Sequence, residues 1–115
     1  MTPKELALFI AKSLDDKKAQ RIEILEIAEI TTIADYFIIC TGSSTTHIKS
    51  LADEVEMSLK AKGMKLLGSE GYMGGGWILL DFASVVVHVF LKDTREFYSL
   101  EHLWGDARRL EVDFS

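Results

Sequence analysis

GYMGGGWILLDFASVVVHVF, residues 71–90, sets four glycines and a tryptophan ahead of two runs of β-forming residues. WILLDF and VVVHVF are separated only by Ala83 and Ser84, so they form an antiparallel hairpin with a two-residue connection. Alanine and serine are weak turn formers, which leaves the register open by one residue. Alternation then divides the side chains. Trp77, Leu79 and Asp81 share one side, and Ile78, Leu80 and Phe82 the other; Val86, His88 and Phe90 oppose Val85, Val87 and Val89. The purely apolar sets belong to a core under helices. The opposite set of Trp77, Leu79, Asp81, His88 and Phe90 has the composition of an interface centre. For His88 a satisfied structural histidine is an equally open reading.

Working outward, Thr2, Pro3 and Glu5 write a helix start with a capping box, and Leu6, Phe9, Ile10 and Leu14 recur at helical spacing before a stop near Asp15-Asp16. RIEILEI, 21–27, reads as a half-covered strand and YFIIC, 36–40, as a central one. In TGSSTTHIKSLADEVEMSLKAKG, Gly42 makes a strand-to-helix turn and Ser43 or Ser44 caps a helix. Its stripe is Ile48, Leu51, Ala52, Val55 and Leu59, and Gly63 ends it. MKLLGSE, 64–70, reads as a third strand. DTREFYSLEHLWGDARRL reads as a turn, then a short helix begun by Ser99 with Leu100, Leu103 and Trp104 facing inward. The expected fold is a single α/β domain over 1–115: a five-stranded mixed sheet in the order α-β-β-α-β-β-β-α, with helices packed mainly on one face. The other face has too little helix to hide it.

A chain of 115 residues holds one core, and a formal net charge of −5 disfavours non-specific binding to nucleic acid, which relies on Lys and Arg displacing counterions. An acidic protein suits a basic protein partner better. Cys40, the single cysteine, permits no internal disulfide, and its apolar surroundings suit a buried thiol in a reducing compartment. The amino-terminal segment has neither a signal-peptide core nor the composition of a transit sequence, and no stretch reaches membrane-spanning length, so the expected location is the bacterial cytoplasm, without membrane contact.

Catalytic readings fare poorly. The Gly42-Ser43-Ser44 turn could hold an anion at a helix start, but every serine-capped strand-to-helix turn has this form, and neither GK[ST] nor GxGxxG is present. Gly74-Gly75-Gly76 could approach a phosphate, yet a strand follows instead of a helix, which removes the dipole that would support binding. Asp81, Asp93 and Glu70 do not make the close carboxylate pair that a two-metal site needs. His47, His88 and His102 are too scattered for zinc, and Cys40 has no nearby basic group to activate it. No cofactor or metal is expected. Two readings are left for the opening stretch, a flexible hairpin tip and an exposed aromatic anchor at Trp77 made approachable by a thin glycine loop; Tyr98 is of the type that dominates binding surfaces.

DYFIICTGSSTTHIKSLADEV, EGYMGGGWILLDFASVVVHVF and REFYSLEHLWGDA, in that order and spacing, resemble the ribosomal silencing factor family, also called the RsfS or Iojap-related family, over nearly the whole chain. The resemblance implies a fold similar to that of nucleotidyltransferases without their catalytic acids, and no enzyme activity. It implies a translational repressor that docks on the large ribosomal subunit through ribosomal protein L fourteen and sterically blocks association with the small subunit, with a further role in large-subunit maturation. Trp77, Asp81, His88, Tyr98 and the glycine turn at Gly76 match the family's motif residues for docking; the division of faces adds Leu79 and Glu101. Direct sequence-specific binding to nucleic acid is not expected. Two rivals remain at this level: a nucleotidyltransferase-like enzyme using the Gly42-Ser43-Ser44 turn, and a homodimer that hides the uncovered sheet face against its own copy.

Overall fold

A computed structural model describes residues 1–114. Helix α1, Pro3–Asp16, begins with the expected capping box: the Thr2 hydroxyl accepts the Glu5 N–H at 3.1 Å and the Glu5 carboxylate accepts the Thr2 N–H at 2.8 Å. Strands β1, Gln20–Glu26, and β2, Tyr36–Gly42, pair antiparallel. Helix α2, Thr45–Lys60, is capped by Ser44, whose hydroxyl accepts the His47 N–H at 3.0 Å, and Gly63 beyond it takes the left-handed conformation at φ 79°. Strands β3, Gly68–Glu70, β4, Trp77–Asp81, and β5, Val85–Leu91, follow, then short helices α3, Lys92–Tyr98, and α4, Leu100–Leu103, and a last strand β6, Arg108–Leu110.

The strands form one mixed sheet in the order β3-β4-β5-β2-β1-β6. Only β2 and β5 run parallel; the β4–β5 hairpin is antiparallel, with Leu79 opposite His88 and Asp81 opposite Val86. The connection needs Ala83 at φ 69°, and the Asp81 carboxylate accepts the Ala83 N–H at 2.8 Å, which supplies the turn chemistry that alanine lacks.

On one face, α1 and α2 bury Ile24, Ile38, Cys40, Ile78, Leu80, Phe82, Val85, Val87 and Val89 against Leu6, Ile10, Leu14, Ile48, Leu51, Val55 and Leu59. The apolar sets of the hairpin do face the helices. At roughly 1.5–3 kcal/mol for each large apolar side chain removed from water, this layer is the main source of stability.

Five expectations are corrected. The sheet has six strands, not five, because residues 108–110 pair with the outer edge of β1, Leu110 opposite Ile24. Only the last three residues of MKLLGSE make a strand; Met64 and Leu66 pack against the helix-side core from the loop before it. DTREFY is a helix instead of a turn, and Ser99, at φ 49° and without a side-chain capping bond, is the corner between two short helices. Leu103 points outward at 71% exposure, while Leu100 is buried. The second sheet face is also not left open: Leu25, Ile27, Phe37, Ile39, Val86, Phe90, Leu100 and Ala107 form a smaller core there, with Trp77, Leu79 and Trp104 packed at its margin.

Candidate protein-docking face

Trp77 opens β4 at the margin of the second core, half-buried where the sequence suggested free access. Its ring lies 5.0 Å from Phe90 and 4.8 Å from Tyr98, centroid to centroid, and its indole N–H donates to His88 Nδ1 at 3.1 Å. The half that stays open is shared with Leu79, also half-buried, and Tyr98, 50% exposed. Phe97, 81% exposed, meets Tyr98 edge-on at 5.1 Å and extends the aromatic surface.

Of the two readings open for His88, the structure carries the buried one. It faces the Trp77 side, as the alternation required, but is only 4% exposed, with Phe37 edge-on at 4.7 Å. Because Nδ1 accepts from Trp77, the neutral ring carries its proton on Nε2, a buried atom with no hydrogen-bond partner among the described residues. Burial drives the ring's pKa down to about 4. His88 therefore supports Trp77 from below and presents no atom to a partner.

The glycine loop is packed at both ends. Gly71 adopts φ 84°, and a Cβ there would lie 1.9 Å from the Trp77 carbonyl oxygen; at Gly76 a Cβ would lie 2.7 Å from Thr94 Oγ1. The Gly76 carbonyl accepts the Leu91 N–H at 3.0 Å, prolonging the hairpin ladder. Tyr72 ties the loop to α2 by donating to Asp53 at 3.0 Å, and only Met73 stands far out, at 84% exposure. These glycines seat Trp77 between the loop and α3.

Glu101 is engaged inside the molecule. Its carboxylate accepts from Nε of Arg95, a guanidinium only 1% exposed. Burial raises the Glu101 carboxyl's pKa, but its own backbone N–H and the Arg95 hydrogen bond and charge outweigh that and leave it below the ordinary value. Asp81 is spent on the hairpin turn. Thus Trp77, Leu79 and Tyr98 supply surface, while Gly76, Asp81, His88 and Glu101 hold that surface in shape.

Arg95 and Phe97 escaped the sequence reading. A lone arginine in an amphipathic segment reads as solvated, and only the Arg95–Glu101 spacing across the corner hints at a pair. Nothing local distinguishes an exposed phenylalanine from a core one.

The features that suggested an enzyme have structural duties. A Cβ at Gly42 would meet Ile48 Cγ2 at 2.6 Å, so glycine is required there by packing. Ser44 caps α2, and the Ser43 N–H donates to His47 Nδ1 at 2.8 Å while His47 Nε2 bonds the Lys17 carbonyl at 2.9 Å. Cys40 is fully buried and its thiol is pushed up to about 12 by burial, only partly offset by the Arg95 charge. Such a thiol does not act as a nucleophile at neutral pH. No helix among the described residues is long and apolar enough to cross a membrane.

The family model for the ribosomal silencing factor during starvation matches residues 1–115. The chain is 40% identical over 113 residues to the ribosomal silencing factor RsfS of Halalkalibacterium halodurans, covering 98% of this chain and 97% of that one. It is 32% identical over 94 residues to a mouse protein named for mitochondrial assembly of the ribosomal large subunit, covering 79% of this chain and 41% of the mouse protein. A crystal structure of a Chromobacterium violaceum protein, CV0518, superposes with a TM-score of 0.89 at 35% identity, covering all of this chain and 93% of that one. With its mixed sheet, its two-sided core and its whole length matched, the chain belongs to the ribosomal silencing factor family.

Proposed function

We propose that this protein binds the large ribosomal subunit through ribosomal protein L fourteen and, by its bulk, blocks association with the small subunit, repressing translation in the cytoplasm without catalysing a reaction. The observation that carries the reading is the half-open pair of Trp77 and Tyr98, ring centroids 4.8 Å apart, beside the half-buried Leu79. Tryptophan and tyrosine at the centre of a patch are the residues most often found as binding hot spots. A standard interface of roughly 800 Å² per partner, centred there, suffices to occlude a subunit contact by volume alone. The net charge of −5 favours a basic ribosomal protein over bare RNA. A role in large-subunit maturation is the companion reading, supported by the name of the mouse relative.

The test is cosedimentation with isolated large subunits, with and without small subunits. Trp77→Ala and Tyr98→Ala are each expected to stay folded and to weaken binding about 30-fold, the effect of losing roughly 2 kcal/mol at a hot spot. Unchanged affinity in both variants sinks the proposed surface. The exposed edge strand β3 also favours pairing with a second copy, and sedimentation at several concentrations tests whether that dimer forms and whether Trp77→Ala leaves it intact.

A further inference from the structure

Two of the four non-glycine residues with positive φ among the described residues, Arg21 at 50° and Ser99 at 49°, deliver their surroundings to one buried side chain. Strand β1 is bulged between Gln20 and Glu23, and the Arg21 carbonyl within the bulge accepts from Arg95 Nη1 at 2.7 Å. Nη1 also donates to the Thr41 hydroxyl on β2 at 2.9 Å, Nη2 to Glu23 on β1 at 3.2 Å, and Nε to Glu101 on α4. The left-handed Ser99 lets α4 turn back so that Glu101 reaches the guanidinium, and the Ser99 N–H donates to the Arg95 carbonyl at 2.8 Å. One side chain thereby fastens β1, β2 and the α3–α4 corner together.

We propose that Arg95 is the positioning residue of the docking face: its planar fork fixes the α3–α4 corner over the sheet and so holds Tyr98 against Trp77. This rests on the docking reading above. Geometry is the argument, because a buried ion pair gains little net stability over an apolar replacement and is best attested where it specifies one arrangement. Here the corner has few alternatives for its attachment. Tyr98 is 50% exposed, Phe97 81% and Leu103 71%, so Leu100 is the only apolar side chain of the two helices that is buried. The two strained backbone sites are what a conformation over-determined by a central group can sustain. Lysine could keep the charge but could not serve acceptors on three elements at once.

The experiment compares Arg95→Lys with Thr41→Val, which removes one of the four acceptors, and with Val55→Ala, which opens a cavity in the helix-side core. Amide hydrogen exchange of residues 92–104 and affinity for large subunits are measured on each folded protein. In Arg95→Lys, exchange across 92–104 is expected to rise about a hundredfold and affinity to fall at least tenfold, while the amides of β2, β5 and α2 keep their protection. Thr41→Val should show the same local pattern, about tenfold smaller. Val55→Ala should loosen the core without weakening binding. The proposal is overturned if the Arg95→Lys variant binds within twofold of wild type, if exchange rises uniformly over the chain, or if Val55→Ala loses as much affinity. If Arg95→Lys does not fold, Thr41→Val decides alone. A wild-type protein that fails to bind large subunits overturns the docking reading and the proposal built on it, and is told apart from a failure of Arg95 itself because the localised exchange change would persist.

Discussion

Acid should weaken this protein through one buried ring. His88 ionises at about 4 in the folded chain against 6.5 for the ordinary side chain, because burial disfavours the charged form. Between those values the unfolded chain binds a proton that the folded one refuses. Stability is therefore complete above about pH 6.5 and falls as the pH drops toward 4, the direction expected for a histidine whose folded pKa is depressed. The gap of about 2.5 pH units corresponds to about 3 kcal/mol at the limit, and about 2 kcal/mol is already lost at pH 5 relative to pH 8. Protonation would also place a proton on Nδ1, the atom that accepts the Trp77 indole N–H, so the two rings would lose their bond as the charge arrives.

Urea unfolding followed by far-UV circular dichroism, at several pH values from about 8 down to about 5, reads this directly. Dichroism is preferred to fluorescence because a charged imidazole beside Trp77 would quench emission without unfolding anything. The lower limit matters. Glu101, whose carboxyl is held below its ordinary value, adds a loss of the same sign only as the pH falls through the carboxylate range. His88→Gln keeps a group that can accept the indole N–H and cannot titrate, so its stability should be nearly flat over the same range. A wild-type slope that survives unchanged in His88→Gln would refute the assignment.

Other expectations rest on the packing of the glycines and the thiol. Gly76→Ala places a Cβ 2.7 Å from Thr94 Oγ1 and should cost about 1–3 kcal/mol in urea unfolding, most of it recovered in the Gly76→Ala/Thr94→Ala double variant. Gly42→Ala should cost a similar amount, relieved by Ile48→Ala, and nucleoside triphosphate with magnesium should leave the melting midpoint of the wild-type protein unmoved; a clear upward shift would revive an enzymatic use of that turn. Thr2→Ala removes the capping box and should lower stability by about 1 kcal/mol by the same unfolding assay. Cys40, with its thiol pushed up to about 12, should react with a maleimide only at the rate at which the domain opens, and fast labelling under native conditions would contradict its burial.

What the sequence could disclose depended on whether the contacts were apolar. The α1 and α2 stripes and the helix-facing set of the hairpin were legible because, Ser13 apart, the side chains they bury are apolar and their period reports the element. The α3 helix was not, since its only buried residue is Arg95, which any hydropathy pattern scores as exposed. Strand β6 was hidden for a related reason: Arg108, Arg109 and Leu110 have no alternation to show, and they pair through backbone groups with an edge of β1 that the sequence does not identify. The hairpin turn at Ala83 was readable only in its length, because the group that stabilises it, the Asp81 carboxylate, reads in the sequence as part of the surface.

The same distinction explains why the division of the sheet's faces was legible and the exposure on one of them was not. Alternation placed Trp77, Leu79, His88 and Phe90 on one side correctly, but exposure on that side is decided by the segment after the hairpin, residues 92–104, which is anchored by polar contacts. Phe90 and His88 are buried, and the open area shrinks to the outer halves of Trp77 and Leu79 beside Tyr98. For the docking proposed above, the smaller patch is the better surface. Its aromatic rings are held by neighbours on one side, so little rotamer freedom remains to be lost on binding, and the conformational cost of association falls accordingly. The indole N–H is already satisfied by His88, so Trp77 meets a partner with its apolar face and loses no hydrogen bond to water in doing so. On this reasoning the buried histidine contributes to affinity without touching the partner. His88→Leu, which leaves the indole donor unpaired, should weaken binding to large subunits more than His88→Gln does, by about 1 kcal/mol or roughly fivefold. Equal affinities for the two variants would mean that the indole N–H finds its acceptor elsewhere.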